Sequence, residues 1–232
     1  MIAATQPSAR SQLQVAREYA RLGILDMAQS WTGRALRREP RFAEGHEFMA
    51  RIWRDWRMPD VGLSSAHLAV QYDSRSASAQ NTLGTLLDAL GRIDEARTAY
   101  SVALLLDPRA EWALNNLCYL EMRAGRFDDA RRNCEAALIV APALLVAHNN
   151  LALTYAAAGQ IATASEAFLA AGDQAAGYYN IGIVHLSYRR YADAALAFEQ
   201  AIKVRPAFTE AKRWAHDAHM RLLTANDRVP HD

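Results

Sequence analysis

The chain has 232 residues, 26 of them basic (Lys or Arg) and 25 acidic, and its formal net charge is +1. This balance lacks the basic excess typical of a nucleic-acid binder, and no apolar run approaches the length of a membrane span. We therefore expect neither a nucleic-acid partner nor membrane insertion. The two cysteines are too few for a domain built on disulfides, and the first residues lack the pattern of a signal peptide. We expect a cytoplasmic location, or a periplasmic one if the true start or a signal sequence is missing.

The sequence is built from repeating units of nearly constant length. Small residues recur at the same place in successive units, in three parallel series: Ala28, Gly62, Ala96, Ala130, Ala164; Ala35, Ala69, Ala103, Ala137, Ala171; and Ala16, Ala50, Gly84, Cys118, Ala152. Each series then continues after a gap shorter by one helical turn, at Ala194, Ala201 and Gly182. The loss of one turn shortens a helix but keeps its inward face in phase.

Each unit predicts two antiparallel helices. The small residues, at unit positions 8, 20 and 27, allow the two helices to approach closely, and larger residues such as Leu83, Leu87 and Tyr100 fill the layer between them. Glycine suits the turn between the helices because it adopts the left-handed conformation, although Arg57 replaces it in the second unit. Cys118 and Cys134 fall at predicted core positions.

The repeats define the predicted organisation of the whole chain. Residues 208–225 carry a single apolar stripe and are predicted to form a helix that caps the last repeat. We expect thirteen helices and no sheet. The predicted segments are an N-terminal tail at 1–8, six units at 9–41, 42–76, 77–110, 111–143, 144–174 and 175–207, the capping helix at 208–225 and a C-terminal tail at 226–232.

The pattern resembles the tetratricopeptide repeat (TPR) family. The best match lies in residues 77–108, with the pair Leu83-Gly84, the turn glycine Gly91, then Ala96, Tyr100 and Pro108. The resemblance implies an all-α fold, a right-handed superhelical solenoid of six helix-turn-helix repeats with a capping helix. It also implies a protein that binds a peptide or a helix in its concave groove. No catalytic motif, phosphate-binding glycine loop or convincing metal site is present, so we expect no enzyme activity, no cofactor and no metal.

In this family the groove is lined by positions 2, 5, 6, 9 and 12 of the first helices. The resemblance therefore implies that a partner contacts Asn81, Trp112, Asn115, Asn116, Tyr119, Met122, Asn149, Asn150, Leu153, Tyr179, Asn180 and Ile183. The aromatic and aliphatic members would form an apolar patch if exposed. The asparagines have two interpretations: a ladder that binds a peptide backbone through donor and acceptor groups, or a structural role within the array.

The first two units predict a second, charged site. Arg17, Arg51 and Arg54 occupy groove positions there and would favour an acidic partner. The carboxylate-clamp TPR domains of chaperone adaptors have lysine at position 5 and asparagine at position 9, and no unit here fits that pattern.

Three functions follow from these observations. The first is an adaptor or scaffold in a bacterial multiprotein assembly, because the units resemble TPR proteins of pilus and secretion systems. The second is a regulatory TPR domain of a larger enzyme system such as a glycosyltransferase. The third is a structural module that self-associates. The expected state is a monomer or a weak homo-oligomer.

Overall fold

The structure is a computed structural model that describes residues 7–226. Within that range the chain forms thirteen α-helices and no strand, so the predicted all-α repeat architecture is confirmed. Of the predicted tails, residues 1–6 and 227–232 lie outside the described range. The helices are α1 (Ala9–Arg21), α2 (Leu25–Arg38), α3 (Ala43–Asp55), α4 (Pro59–Tyr72), α5 (Ala77–Ala89), α6 (Ile93–Leu106), α7 (Glu111–Arg123), α8 (Phe127–Val140), α9 (Leu145–Ala157), α10 (Ile161–Ala170), α11 (Gln174–Ser187), α12 (Tyr191–Val204) and α13 (Thr209–Asn226).

The chain divides into two compact bodies, the N-terminal body (Met1–Leu120) and the C-terminal body (Glu121–Asp232). In the N-terminal body α1 pairs with α2, α3 with α4 and α5 with α6, and each pair packs on the next. In the C-terminal body α9 pairs with α10 and α11 with α12, and α13 packs on α12. Each body thus contains stacked helical hairpins, and the odd-numbered helix comes first in each of these pairs.

The small residues lie where the helices of a hairpin come closest. A Cβ atom added to Gly84 would lie 2.6 Å from Cε1 of Tyr100, and one added to Gly182 would lie 2.6 Å from Cε1 of Phe198. Both rings are almost fully buried. Glycine at position 8 therefore makes room for an aromatic side chain at position 24 of the same hairpin. Cys118 and Cys134 are fully buried, as predicted for core positions.

The turns within hairpins use the left-handed backbone conformation. Gly23, Gly91 and Gly159 have φ values of 76°, 73° and 79°. Arg57 has the same conformation, with φ 62°, and so does Arg189, with φ 56°. Arg57 was predicted as a departure from the turn glycine, whereas the departure at Arg189 was not predicted. Both arginines carry the steric cost of a Cβ in this region, which glycine avoids.

Two features of the C-terminal body follow from the shortened repeat and the predicted cap. Helix α10 has 10 residues, whereas the other second helices have 14, so the missing turn lies in the fifth unit. Helix α13 buries Ala211, Ala215 and Ala218. Ala215 and Ala218 pack in a cluster with Phe198 of α12. The apolar stripe of α13 therefore covers the last hairpin.

Candidate protein-binding face of the first helices

Part of the predicted binding set belongs to the N-terminal body, on α5 and α7. Trp112 is half-buried and packs against the buried residues Ala103, Ala110 and Ala113. Tyr119 is 39% exposed, whereas Asn115 is buried. Of these aromatic side chains, Tyr119 is therefore the one with substantial area open to a partner.

The asparagines of this body link consecutive repeats. Asn116 donates a hydrogen bond from Nδ2 to Oδ1 of Asn81 over 2.9 Å. One repeat earlier, Thr82 donates from its hydroxyl to Oε1 of Glu47 over 3.3 Å, and Ser78 donates to the same oxygen over 2.6 Å. In both links a residue at position 5 of one repeat accepts from position 6 of the next. These bonds give Asn81 and Asn116 a structural role, while each amide keeps further hydrogen-bonding capacity.

The remaining predicted residues belong to the C-terminal body and differ in exposure. Asn150 is buried, and Met122, Asn149 and Asn180 are half-buried. Leu153 is 36% exposed.

Tyr179 and Ile183 lie against the capping end of the C-terminal body. The Tyr179 ring stacks on Phe208, with 5.1 Å between ring centroids, and lies 5.7 Å from the ring of Phe198. Ile183 packs in the same cluster, with Trp214 of α13. Much of the apolar area of these two side chains is therefore used for packing against α12 and the chain that leads into α13.

The start of α11 is held by an ionic contact with the end of α12. Asp173 caps α11 by accepting from the backbone N–H of Ala176 over 3.1 Å, and Arg205 donates to the same carboxylate over 2.8 Å. These two interactions lower the pKa of Asp173. The Arg205 guanidinium also lies over the Phe208 ring, 5.2 Å from its centroid. This contact fixes the shortened fifth unit to the last hairpin.

Helix α9 exposes an apolar face. Its sequence, LVAHNNLALTYAA, contains no Asp, Glu, Lys or Arg. Leu145 and Val146 are each 47% exposed, and both lie about two turns before Leu153 on the helix. A surface helix normally presents charged or polar side chains to water, so this composition is unusual for an exposed face. Val146 occupies groove position 2 of the fifth unit but was not in the predicted binding set, and Leu145 was not predicted, although the uncharged run was visible in the sequence.

Helices α1 and α3 of the N-terminal body have the opposite character. Glu44 of α3 accepts from Arg10 and from Arg17 of α1, each over 3.3 Å. Arg54 pairs with Asp55 over 2.8 Å. The predicted charged surface is therefore present on α1 and α3, and most of its carboxylates are paired.

Neither metal ligation nor membrane crossing is indicated within residues 7–226. His219 of α13 lies 2.9 Å from Oε1 of Glu199, and the described residues contain no group of three or more His, Cys, Asp or Glu side chains placed to hold a metal ion. None of the described helices has the length and apolar composition needed to cross a membrane.

Stacked helical hairpins of regular length define a class of helical-repeat proteins whose first helices offer a continuous face to partners. The model of the tetratricopeptide repeat matches residues 77–109 and 175–208. These two segments are therefore tetratricopeptide repeats, and the fold of the chain supports a role in protein interaction. No curated protein matches the sequence.

Solved structures of similar fold come from several assemblies. PilW, a widely conserved type IV pilus biogenesis factor, is 22% identical with a TM-score of 0.77, covering 88% of this chain and 97% of PilW. PilF of Pseudomonas aeruginosa is 19% identical with a TM-score of 0.70, covering 90% and 97%. A chain of the APC/C hetero-tetramer Cut9–Hcn1 is 17% identical with a TM-score of 0.74, covering 91% of this chain and 43% of that one. The present chain thus spans less than half of the Cut9–Hcn1 chain, and at these identities the likeness is one of fold.

Proposed function

We propose that this protein is a non-catalytic adaptor that binds an extended or helical segment of a partner protein through its first helices. The observation that carries the proposal is the apolar face of α9. Leu145, Val146 and Leu153 are large, exposed and unaccompanied by any charged residue on their own helix. Exposed apolar patches of this kind usually mark sites of protein interaction.

The neighbouring amides suit a peptide ligand. Asn149 and Asn180 are half-buried, and neither side chain makes a hydrogen bond within the described residues. A free amide both donates and accepts, so it can bind the backbone of a segment whose side chains contact Leu153. In the N-terminal body, Tyr119 and the remaining groups of Asn116 offer the same combination of aromatic surface and amide.

We further propose that the partner belongs to a bacterial multiprotein assembly. PilF and PilW, which share the fold over nearly their whole lengths, support this context. YrrB, at 17% identity and a TM-score of 0.56, is described as a TPR protein with an unusual peptide-binding site, and it supports the binding of a peptide.

The proposal is tested by capture of partners with matched variants. Leu153→Glu introduces a charge into the α9 face, whereas Ile139→Glu introduces the same charge at a side chain of α8 that is 82% exposed. The wild-type protein and the Ile139 variant should retain the same partner from a native lysate, and the Leu153 variant should lose it. Equal retention by all three proteins, with the variants folded, would remove α9 from the binding site.

A further inference from the structure

An open pocket lies between α1 and α3 in the N-terminal body. Its apolar lining residues are Ala20, Phe48 and Ile52. Arg17, Arg21 and Arg51 line it together with a single carboxylate, that of Asp55. The pocket therefore combines apolar side chains with an excess of arginines over carboxylates.

The carboxylates near these arginines are already occupied. Glu44 serves both Arg10 and Arg17. Glu47 is buried and accepts hydrogen bonds from the hydroxyls of Ser78 and Thr82.

Arg51 and Arg17 therefore keep donor capacity for an outside acceptor. Arg51 approaches Glu47 only to 3.9 Å, which is too long for a hydrogen bond, and its side chain is 48% exposed. Arg17 shares one carboxylate with a second arginine and lies 5.9 Å from the centroid of the Phe48 ring.

The charged side chains of α1 and α3 also leave a positive excess. Five arginines face four carboxylates, which leaves one positive charge in excess: Arg10, Arg17, Arg21, Arg51 and Arg54 against Glu18, Glu44, Glu47 and Asp55.

We propose that this pocket binds acidic side chains of an extended partner segment, with an adjacent apolar side chain against Phe48. Arg17 and Arg51 occupy the same position in consecutive repeats, on neighbouring first helices. Packed helices lie about 8–10 Å apart. A segment in the extended polyproline II conformation rises about 3.1 Å per residue with three residues per turn, so side chains three residues apart lie on one face and span about 9 Å. The pocket therefore suits two acidic residues separated by two others, one of them apolar.

This pocket belongs to a different body from α9, so the two proposals stand or fail separately. The probe is a fluorescein-labelled peptide with two glutamates three residues apart and leucine between them. Its matched control replaces both glutamates with glutamine. Binding is measured by fluorescence anisotropy to the wild-type protein, to Arg17→Gln, to Arg51→Gln and to Arg37→Gln, which removes an exposed arginine of the second helix α2.

The acidic peptide should bind the wild-type protein, and the glutamine peptide should bind at least about tenfold more weakly, because hydrogen bonds between charged groups are stronger than neutral ones. Arg17→Gln and Arg51→Gln should each weaken the acidic peptide by about tenfold, whereas Arg37→Gln should stay within about twofold. Added salt should weaken binding, since the pocket is open to solvent.

Three results would overturn the proposal, provided that circular dichroism shows the variants to be folded. They are equal affinity for the two peptides, equal loss in Arg37→Gln and Arg51→Gln, or no saturable binding at low salt. Displacement of the peptide by an RNA oligonucleotide of equal charge at the same concentration would also overturn it, because it would show a general polyanion site.

Discussion

Gly84→Ala tests the packing on which the repeat assignment depends. The new Cβ would lie 2.6 Å from Cε1, 2.7 Å from Cδ1 and 3.1 Å from Cζ of Tyr100. The Tyr100 ring is 1% exposed, so it has no open space to move into. The close contact must therefore be relieved by shifting α5 and α6 apart.

Two opposing effects set the size of the change. Replacing glycine by alanine inside a helix stabilises it by up to about 1 kcal/mol. Overpacking a filled core costs about 1–3 kcal/mol. The clash exceeds the helix-propensity gain, so we expect a net loss of about 1 kcal/mol in the free energy of unfolding, and no more than about 2 kcal/mol.

Gly33→Ala is the matched control, because it makes the same chemical change in α2 of the same body. There the new Cβ would meet only Nη1 of Arg37, at 3.4 Å, and that side chain is flexible. We expect this variant to be more stable than the wild type by about 0.5–1 kcal/mol. Urea unfolding followed by circular dichroism in the far ultraviolet measures both changes. A Gly84→Ala protein as stable as Gly33→Ala would refute the close contact between Gly84 and Tyr100.

Three further perturbations follow from the backbone, from a half-buried histidine and from the cap. Arg57→Gly and Arg189→Gly should each raise the free energy of unfolding by about 1 kcal/mol in urea titrations, because both residues hold a left-handed backbone; no gain would contradict that conformation. Burial and the positive charge of Arg190 lower the pKa of His185 in the folded protein, so the unfolded chain binds a proton at this residue more readily. The free energy of unfolding should therefore fall as the pH drops below the ordinary value of 6.5, and His185→Gln should flatten that slope in urea titrations at several pH values. Removing residues 208–232 should expose the surface that α13 covers and cause aggregation in light scattering, whereas a stable monomer would show that the last hairpin needs no cap.

Much of the fold could be predicted because it follows from spacing. The regular repeat places small side chains at the helix contacts, and the structure has Gly84 and Gly182 there against aromatic rings. The same register aligns Arg189 with Gly159 once the shortening of the fifth unit is taken into account. The left-handed turn at Arg189 was therefore predictable from the register, although residue type alone argued against it.

The candidate site could be predicted only in outline. The family resemblance implied that the first helices form the binding face, but the use of each side chain depends on its neighbours in space. Tyr179 is a groove residue by position, yet it stacks on Phe208, and that contact depends on how the chain enters α13. Asn81 and Asn116 were compatible with a peptide ladder or with a structural link, and their mutual hydrogen bond supplies the link.

A partner is expected to bind the exposed face of α9. A photo-crosslinking amino acid placed at residue 153 reports contact with a partner directly, and the same amino acid at residue 139 of α8 is the control, since Leu153 and Ile139 are both exposed. Irradiation of cells that express each variant should yield a discrete crosslinked partner from position 153 and none from position 139. A partner crosslinked from position 139 alone, or from neither position, would show that α9 is not the binding face.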